Sequence, residues 1–95
     1  MIDLKQTARA AFENAVRRKK TAAQVKHYSD ACGILKEIDE FGQAGEDMPS
    51  EHIPPYTEAQ EELADILICC LTELYKRGTD IEAIITHKMK FNESR

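Results

Sequence analysis

Three short segments of this chain carry the same helix-opening signal: Thr21-x-x-Gln24, Thr57-x-x-Gln60 and Thr79-x-x-Glu82. In each, the threonine hydroxyl can accept from the backbone amide three residues on, while the Gln or Glu side chain reaches back to the threonine amide. Strand-like alternation of apolar and polar residues is absent, and Ala, Leu, Glu, Lys and Gln dominate, all good helix formers. The expectation is therefore an all-α chain. A first helix is predicted from Asp3 to about Lys19, with Leu4, Ala8, Ala11, Phe12, Ala15 and Val16 on its inner side. A second runs from Thr21 to about Gln43 and ends at Gly45. One real loop follows, Gly45 to Tyr56, marked by Pro49, Pro54 and Pro55. A third helix runs from Thr57 to Arg77 and stops at Gly78, and a fourth from Thr79 to about Phe91. With 95 residues, this is one domain spanning 1–95, a four-helix bundle-like unit able to bury around 60–65% of its unfolded surface.

Charge and cysteine usage narrow the functional classes. The net charge is −4, which disfavours general nucleic-acid binding. The basic run Arg17, Arg18, Lys19, Lys20 reads as the decoration of a helix C-terminus, where cations suit the helix dipole. Three cysteines make no disulfide framework, and without a C-x-x-C no zinc site is expected. Cys69 reads as a small filler. No segment approaches the ~18–20 apolar residues of a membrane span, and MIDLKQTARA has no apolar signal-peptide stretch, so a cytoplasmic protein without membrane contact is expected.

The chemistry-bearing residues are acidic pairs. Glu37-x-x-Glu40 lies late in the second helix and Glu62-x-x-Asp65 early in the third. A spacing of i, i+3 puts both carboxylates of a pair on one helix face. If the helices lie antiparallel, four carboxylates can converge, each close pair costing about 4 kcal/mol at an effective dielectric near ~20. A hard divalent cation turns that repulsion into binding, and an oxygen-only shell suits Mg²⁺ or Mn²⁺. No Glu-x-x-His occurs, so a di-iron carboxylate site is not expected. His27 reads as a partly buried side chain, and His52 and His87 receive no role. Chains rich in acids also carry such pairs as solvated faces, and that reading stands beside the metal one.

The helix faces set what the acids can reach. On the third helix, Leu63, Ile66, Leu67, Cys70, Leu71 and Leu74 form the main apolar side. Ala64, Ile68 and Tyr75 widen it to roughly 200°, against ~100° for a simple surface helix. Burial from two directions, as at a subunit interface, would use such an arc. Glu62, Asp65 and Cys69 lie across from its centre. On the second helix, Ile34, Ile38 and Phe41 are expected to face the core with Glu37 and Glu40 flanking. Gly33, taken as mid-helix, reads as a place of close helix packing.

Glu37-x-x-Glu40, a spacer of about twenty residues, EELADILI (Glu61 to Ile68) and the tail KMKFNESR (Lys88 to Arg95) together resemble the MazG-like all-α NTP pyrophosphatases. The likeness covers about Tyr28 to Arg95. It implies hydrolysis of an NTP or dNTP between its α and β phosphates, giving the monophosphate and pyrophosphate. Glu37, Glu40, Glu62 and Asp65 would then hold Mg²⁺, or Mn²⁺. Glu37 or Glu40 would also serve the attacking water as base, and Lys88, Asn92 and Arg95 would contact the triphosphate. The assembly implied is a helical homodimer, or a homotetramer built as a dimer of dimers. One departure is Gly33, where some members carry a base one turn before the first Glu. Tyr28, Tyr56 and Phe91 are candidates for touching the nucleobase. The competing reading is a non-catalytic helical dimerisation or nucleotide-binding module with a degenerate site.

Overall fold

The computed structural model describes residues 2–19 and 33–95. Among them are four helices and no strand: α1 (Leu4–Lys19), α2 (Ile34–Gln43), α3 (Glu58–Lys76) and α4 (Ile81–Glu93). The fold is all-α, as composition and capping require. The Thr21-x-x-Gln24 signal, His27, Tyr28 and Cys32 lie outside the described residues.

Local chemistry explains the helix ends. Asp3 caps α1, its carboxylate accepting from the Gln6 amide at 3.1 Å. Thr57 opens α3 with the full reciprocal box: its hydroxyl accepts from the Gln60 amide at 3.2 Å, and Gln60 Oε1 accepts from the Thr57 amide at 2.9 Å. At the other end of α3 the chain turns through Gly78 at φ 69°. There the Gly78 amide donates to the Tyr75 carbonyl and the Thr79 amide to the Leu74 carbonyl. This paired closure needs a left-handed residue, which glycine supplies without a Cβ clash.

Two local expectations are corrected. The cap of α4 is Asp80, whose Oδ1 accepts from the Ala83 amide at 3.1 Å, and not Thr79. Thr79 is already committed to the closure of α3, so the helix opens one residue later and runs on to Glu93. Gly33 is not mid-helix: at φ 68° and ψ 55° it stands immediately before α2, without a side-chain cap.

The helix α3 is the central element. Along one side it carries α1, through Ala8 against Leu71 and Ile81, with Leu4, Leu74 and Tyr75 packed around them. Phe12 meets Tyr75 with ring centroids 5.1 Å apart. The inner face of α1 is the one its sequence pattern indicates, with Ala8, Ala11 and Ala15 buried. Small residues there let the helices approach closely. Along its N-terminal half α3 carries α2, and α4 packs on α1 and α3.

The apolar arc of α3 is divided between the interior and solvent. The buried residues of the helix are Ala59, Cys69, Leu71, Thr72 and Glu73, while Leu63 is 51% exposed and Leu67 58%. The face carrying Glu62 and Cys69 is turned towards the other helices, and part of the strongest apolar stripe is turned out. On α2 no residue is buried, and Ile38, expected in the core, is 48% exposed. No helix among the described residues is long and apolar enough to cross a membrane.

The cap assignment is testable by urea unfolding. Asp80→Ala should cost about 1 kcal/mol, the usual loss for a removed N-cap. Thr79→Ala, whose side chain caps nothing, should stay within about 0.5 kcal/mol of the parent.

Candidate metal and phosphate site

Packing of α2 on α3 brings the two acidic pairs together. One carboxylate oxygen from each of Glu37, Glu40 and Glu62 lies within 4.8 Å of the others, a set able to hold a cation. Two of these groups are caught in an awkward state. Glu37 Oε2 and Glu62 Oε2 are shielded from solvent and have no hydrogen-bond partner. A buried unpartnered oxygen forfeits its hydration with nothing in return. Glu40 is the more open member, its side chain 42% exposed and 4.0 Å from Lys36 Nζ.

Asp65 stands beside this trio rather than within it. It shares the electrostatics of the cluster, acting on both Glu37 and Glu62. Arg18, from the last turns of α1, and His52 act on Asp65 in the opposite sense. Arg18 is therefore more than a helix-end decoration: the packing of α1 along α3 brings its charge to the edge of the acidic cluster.

The titration behaviour follows from burial and crowding. Burial, then the charges of Glu40, Asp65 and Glu62, push the Glu37 carboxyl up to about 7. Glu62 is raised by burial and by Asp65 and Glu40. Asp65 is raised by burial and by Glu61 and Glu40. Ordinary surface glutamates show no such behaviour, and a bound cation would reverse its cause.

The third part of the site went unnoticed in the sequence. The loop between α2 and α3 is strapped to the first turns of α3 by two glutamates. Glu58 Oε1 accepts from the Gly45 amide at 3.0 Å. A Cβ on Gly45 would fall 2.8 Å from that same oxygen and 2.7 Å from Met48 Cγ, so the strap needs glycine there. Glu61 accepts from the Ser50 hydroxyl through Oε1 and bonds His52 Nδ1 through Oε2 at 2.8 Å. Ser50, 2% exposed, also accepts from the amides of His52 and Ile53 at 3.2 and 3.1 Å. The bonds from Ser50 and His52 hold the Glu61 carboxyl below its usual range. The sequence signal was faint: a serine and a histidine in a loop that must return to a helix beginning with acids.

Lys88 and Asn92 are exposed on the last turns of α4, and Arg95 is exposed just past its end. Lys88 Nζ lies 4.7 Å from the centre of the Phe91 ring and the Arg95 guanidinium 5.7 Å. Among the described residues no ion pair joins them to the acidic cluster. The chain matches no family model, no curated protein and no solved structure.

Two outcomes test this geometry. Glu37 holds its proton more tightly folded, near 7, than unfolded, near 4.5. The stabilisation this gives is fully present below pH 4.5 and is lost as pH rises to 7. Glu62 and Asp65 act in the same direction. The metal-free protein should therefore lose thermal stability across that window, and Glu37→Gln should flatten the loss, both read by melting curves against pH. Separately, Ser50→Ala should cost about 1–3 kcal/mol in urea unfolding, because it strands two loop amides and a carboxylate oxygen.

Proposed function

We propose that the chain is a Mg²⁺-dependent nucleoside triphosphate pyrophosphohydrolase of the MazG-like kind, cleaving an NTP or dNTP to the monophosphate and pyrophosphate. The observation that carries this reading is the meeting of Glu37, Glu40 and Glu62 with two buried carboxylate oxygens left unpartnered. An all-oxygen, highly anionic donor set fits Mg²⁺, with Mn²⁺ as its substitute. Asp65, one helical turn along, completes the four acids that the resemblance assigns to the metal.

When bound, the cation supplies charge neutralisation at the phosphate oxygens and lowers the cost of deprotonating water. The chain's own residues do the rest. Glu37, with one carboxylate oxygen shielded from solvent beside the proposed cation site, is the residue proposed to take the proton of the attacking water. Glu40, more exposed, is the alternative base on the same helix. Lys88, Asn92 and Arg95 remain the residues proposed to contact the triphosphate. They lie exposed on the last turns of α4 and just past its end, where the Arg95 guanidinium can engage a phosphate in bidentate fashion. Assembly as a homodimer, or a dimer of dimers, is supported by the outward-turned Leu63 and Leu67 of α3 and Ile38 of α2. Monomeric proteins rarely leave large apolar patches in water.

The test is pyrophosphate release from a panel of NTPs and dNTPs with Mg²⁺ or Mn²⁺. The expected products are monophosphate and pyrophosphate. Glu62→Gln should lower the rate by more than the roughly 10–100-fold typical of outer-shell partners, while leaving the helical circular dichroism unchanged. Millimolar Mg²⁺ should raise the melting temperature of the parent, by about 2.7 kcal/mol of stability at a hundredfold excess over Kd, and that shift should vanish in the variant. Orthophosphate plus diphosphate would place the cleaved bond elsewhere. An identical melting curve with and without the cation, together with no turnover, would leave a helical interaction module as the better description.

A further inference from the structure

The loop histidine is held more firmly than its surroundings demand. His52 is fixed at three points: its amide by Ser50 Oγ, its ring by Glu61 Oε2 at 2.8 Å, and the strand-like turn around it by the Ser50 amide on the Tyr56 carbonyl at 2.8 Å and the Tyr56 amide on the Ile53 carbonyl at 2.9 Å. An isolated bridge between Pro49 and Thr57 closes the base of this turn. Yet the His52 side chain is 81% exposed, so little packing repays the ordering of an aromatic ring. Ordering without burial is what a ligand-facing group requires, because its conformational cost is met before the ligand arrives.

The chemistry of the ring is set by Glu61. An ionised carboxylate cannot donate, so Nδ1 carries the hydrogen and Nε2 is left for another partner. His52 lies on the wall of a depression of about 280 Å³ whose other lining residues include Glu40, Glu51, Glu58, Glu61 and Glu62. It is the one lining residue able to carry a positive charge. The Glu61 carboxylate bonded to the ring favours its imidazolium form, as does Glu51, and in that form Nε2–H is a donor. The rest of the lining is Gln43, Ala44 and carboxylates.

We propose that His52 is a phosphate-binding residue, its imidazole oriented by Glu61 and Ser50 so that Nε2 donates to a phosphate oxygen of a metal-bound polyphosphate. This rests on the reading of the neighbouring glutamates as a metal site and adds to it the cation that Lys88 and Arg95, paired with the Phe91 ring, do not bring to this edge.

Two variants separate ligand contact from loop anchoring. His52→Asn keeps a donor near the Nδ1 position, able to bond Glu61, and has nothing in place of Nε2. His52→Gln reaches the Nε2 position and gives up the anchor. In the parent, Mg²⁺ with inorganic pyrophosphate should shift the His52 imidazole resonances in NMR spectra while those of His87 stay put. His52→Asn should keep the melting temperature of the parent, weaken Mg²⁺–pyrophosphate binding and raise KM about tenfold, the scale of one charge-assisted hydrogen bond, with kcat little changed. His52→Gln should melt lower yet recover part of the affinity. His52 resonances that stay still while pyrophosphate binds, or an unchanged KM in active His52→Asn, would overturn the assignment. Pyrophosphate binding that moves His52 in a protein turning over no nucleotide would uphold it and refute the proposed cleavage instead. Absence of both binding and turnover would remove the metal–phosphate site and His52's role with it.

Discussion

Everything in this fold is organised around a repulsion. The contact of α2 with α3 places three carboxylates within 4.8 Å of one another and shields two of their oxygens from both water and donors. Such an arrangement opposes folding, since each charge loses hydration and gains a like neighbour. The chain contains it by two means. Protonation is one: Glu37 is pushed to about 7, so near neutrality the cluster carries less than its formal charge. Distance is the other: Asp65 is set outside the trio and balanced by Arg18 and His52. The apolar packing of α1 on α3, through Ala8, Leu71, Phe12 and Tyr75, supplies the stability against which this strain is held.

The loop between α2 and α3 fixes the geometry of that strain. Glu58 and Glu61 are spent on the loop, binding the Gly45 amide, the Ser50 hydroxyl and the His52 ring. Their carboxylates are thereby engaged by donors from the loop. Neighbouring glutamates in one helix turn thus have opposite fates. Glu61 is satisfied and held below its usual range, while Glu62 is unsatisfied and raised. The difference lies in which face each occupies and which donors the loop delivers to it. This division separates carboxylates engaged by the loop from those with an unpartnered oxygen.

Much of the secondary structure was legible because caps are local. Thr57, Gln60 and Gly78 act within three or four residues, and both ends of α3 follow from them. The acidic pairs were legible for the same reason, since i, i+3 spacing fixes a shared face. The Thr79 reading failed because two adjacent good capping residues compete, and closure of α3 claims the first. Gly33 was misplaced because a glycine inside a helical pattern and one at its edge look alike in sequence. The Ser50, His52 and Glu61 network was not legible at all: it joins residues nine and eleven apart across a turn, and no periodicity reports such a meeting. The face of α2, where Ile38 was expected in the core, was misjudged for a deeper reason. The rule that the most apolar side points inward assumes that the folded chain buries everything it needs to bury.

That assumption fails on α3 in an instructive way. One face of this helix offers carboxylates to the interior, and another offers Leu63 and Leu67 to solvent. Each face is unfavourable for an isolated chain, the first electrostatically and the second by exposed apolar surface. The proposed cation would lie against the first of these faces and the proposed partner surface against the second. Both would act on α3, which carries the two faces. Covering Leu63 and Leu67 would restrain the same turns that carry Glu62 and Asp65, and a cation across Glu37, Glu40 and Glu62 would tie α2 to α3 beside the exposed Ile38.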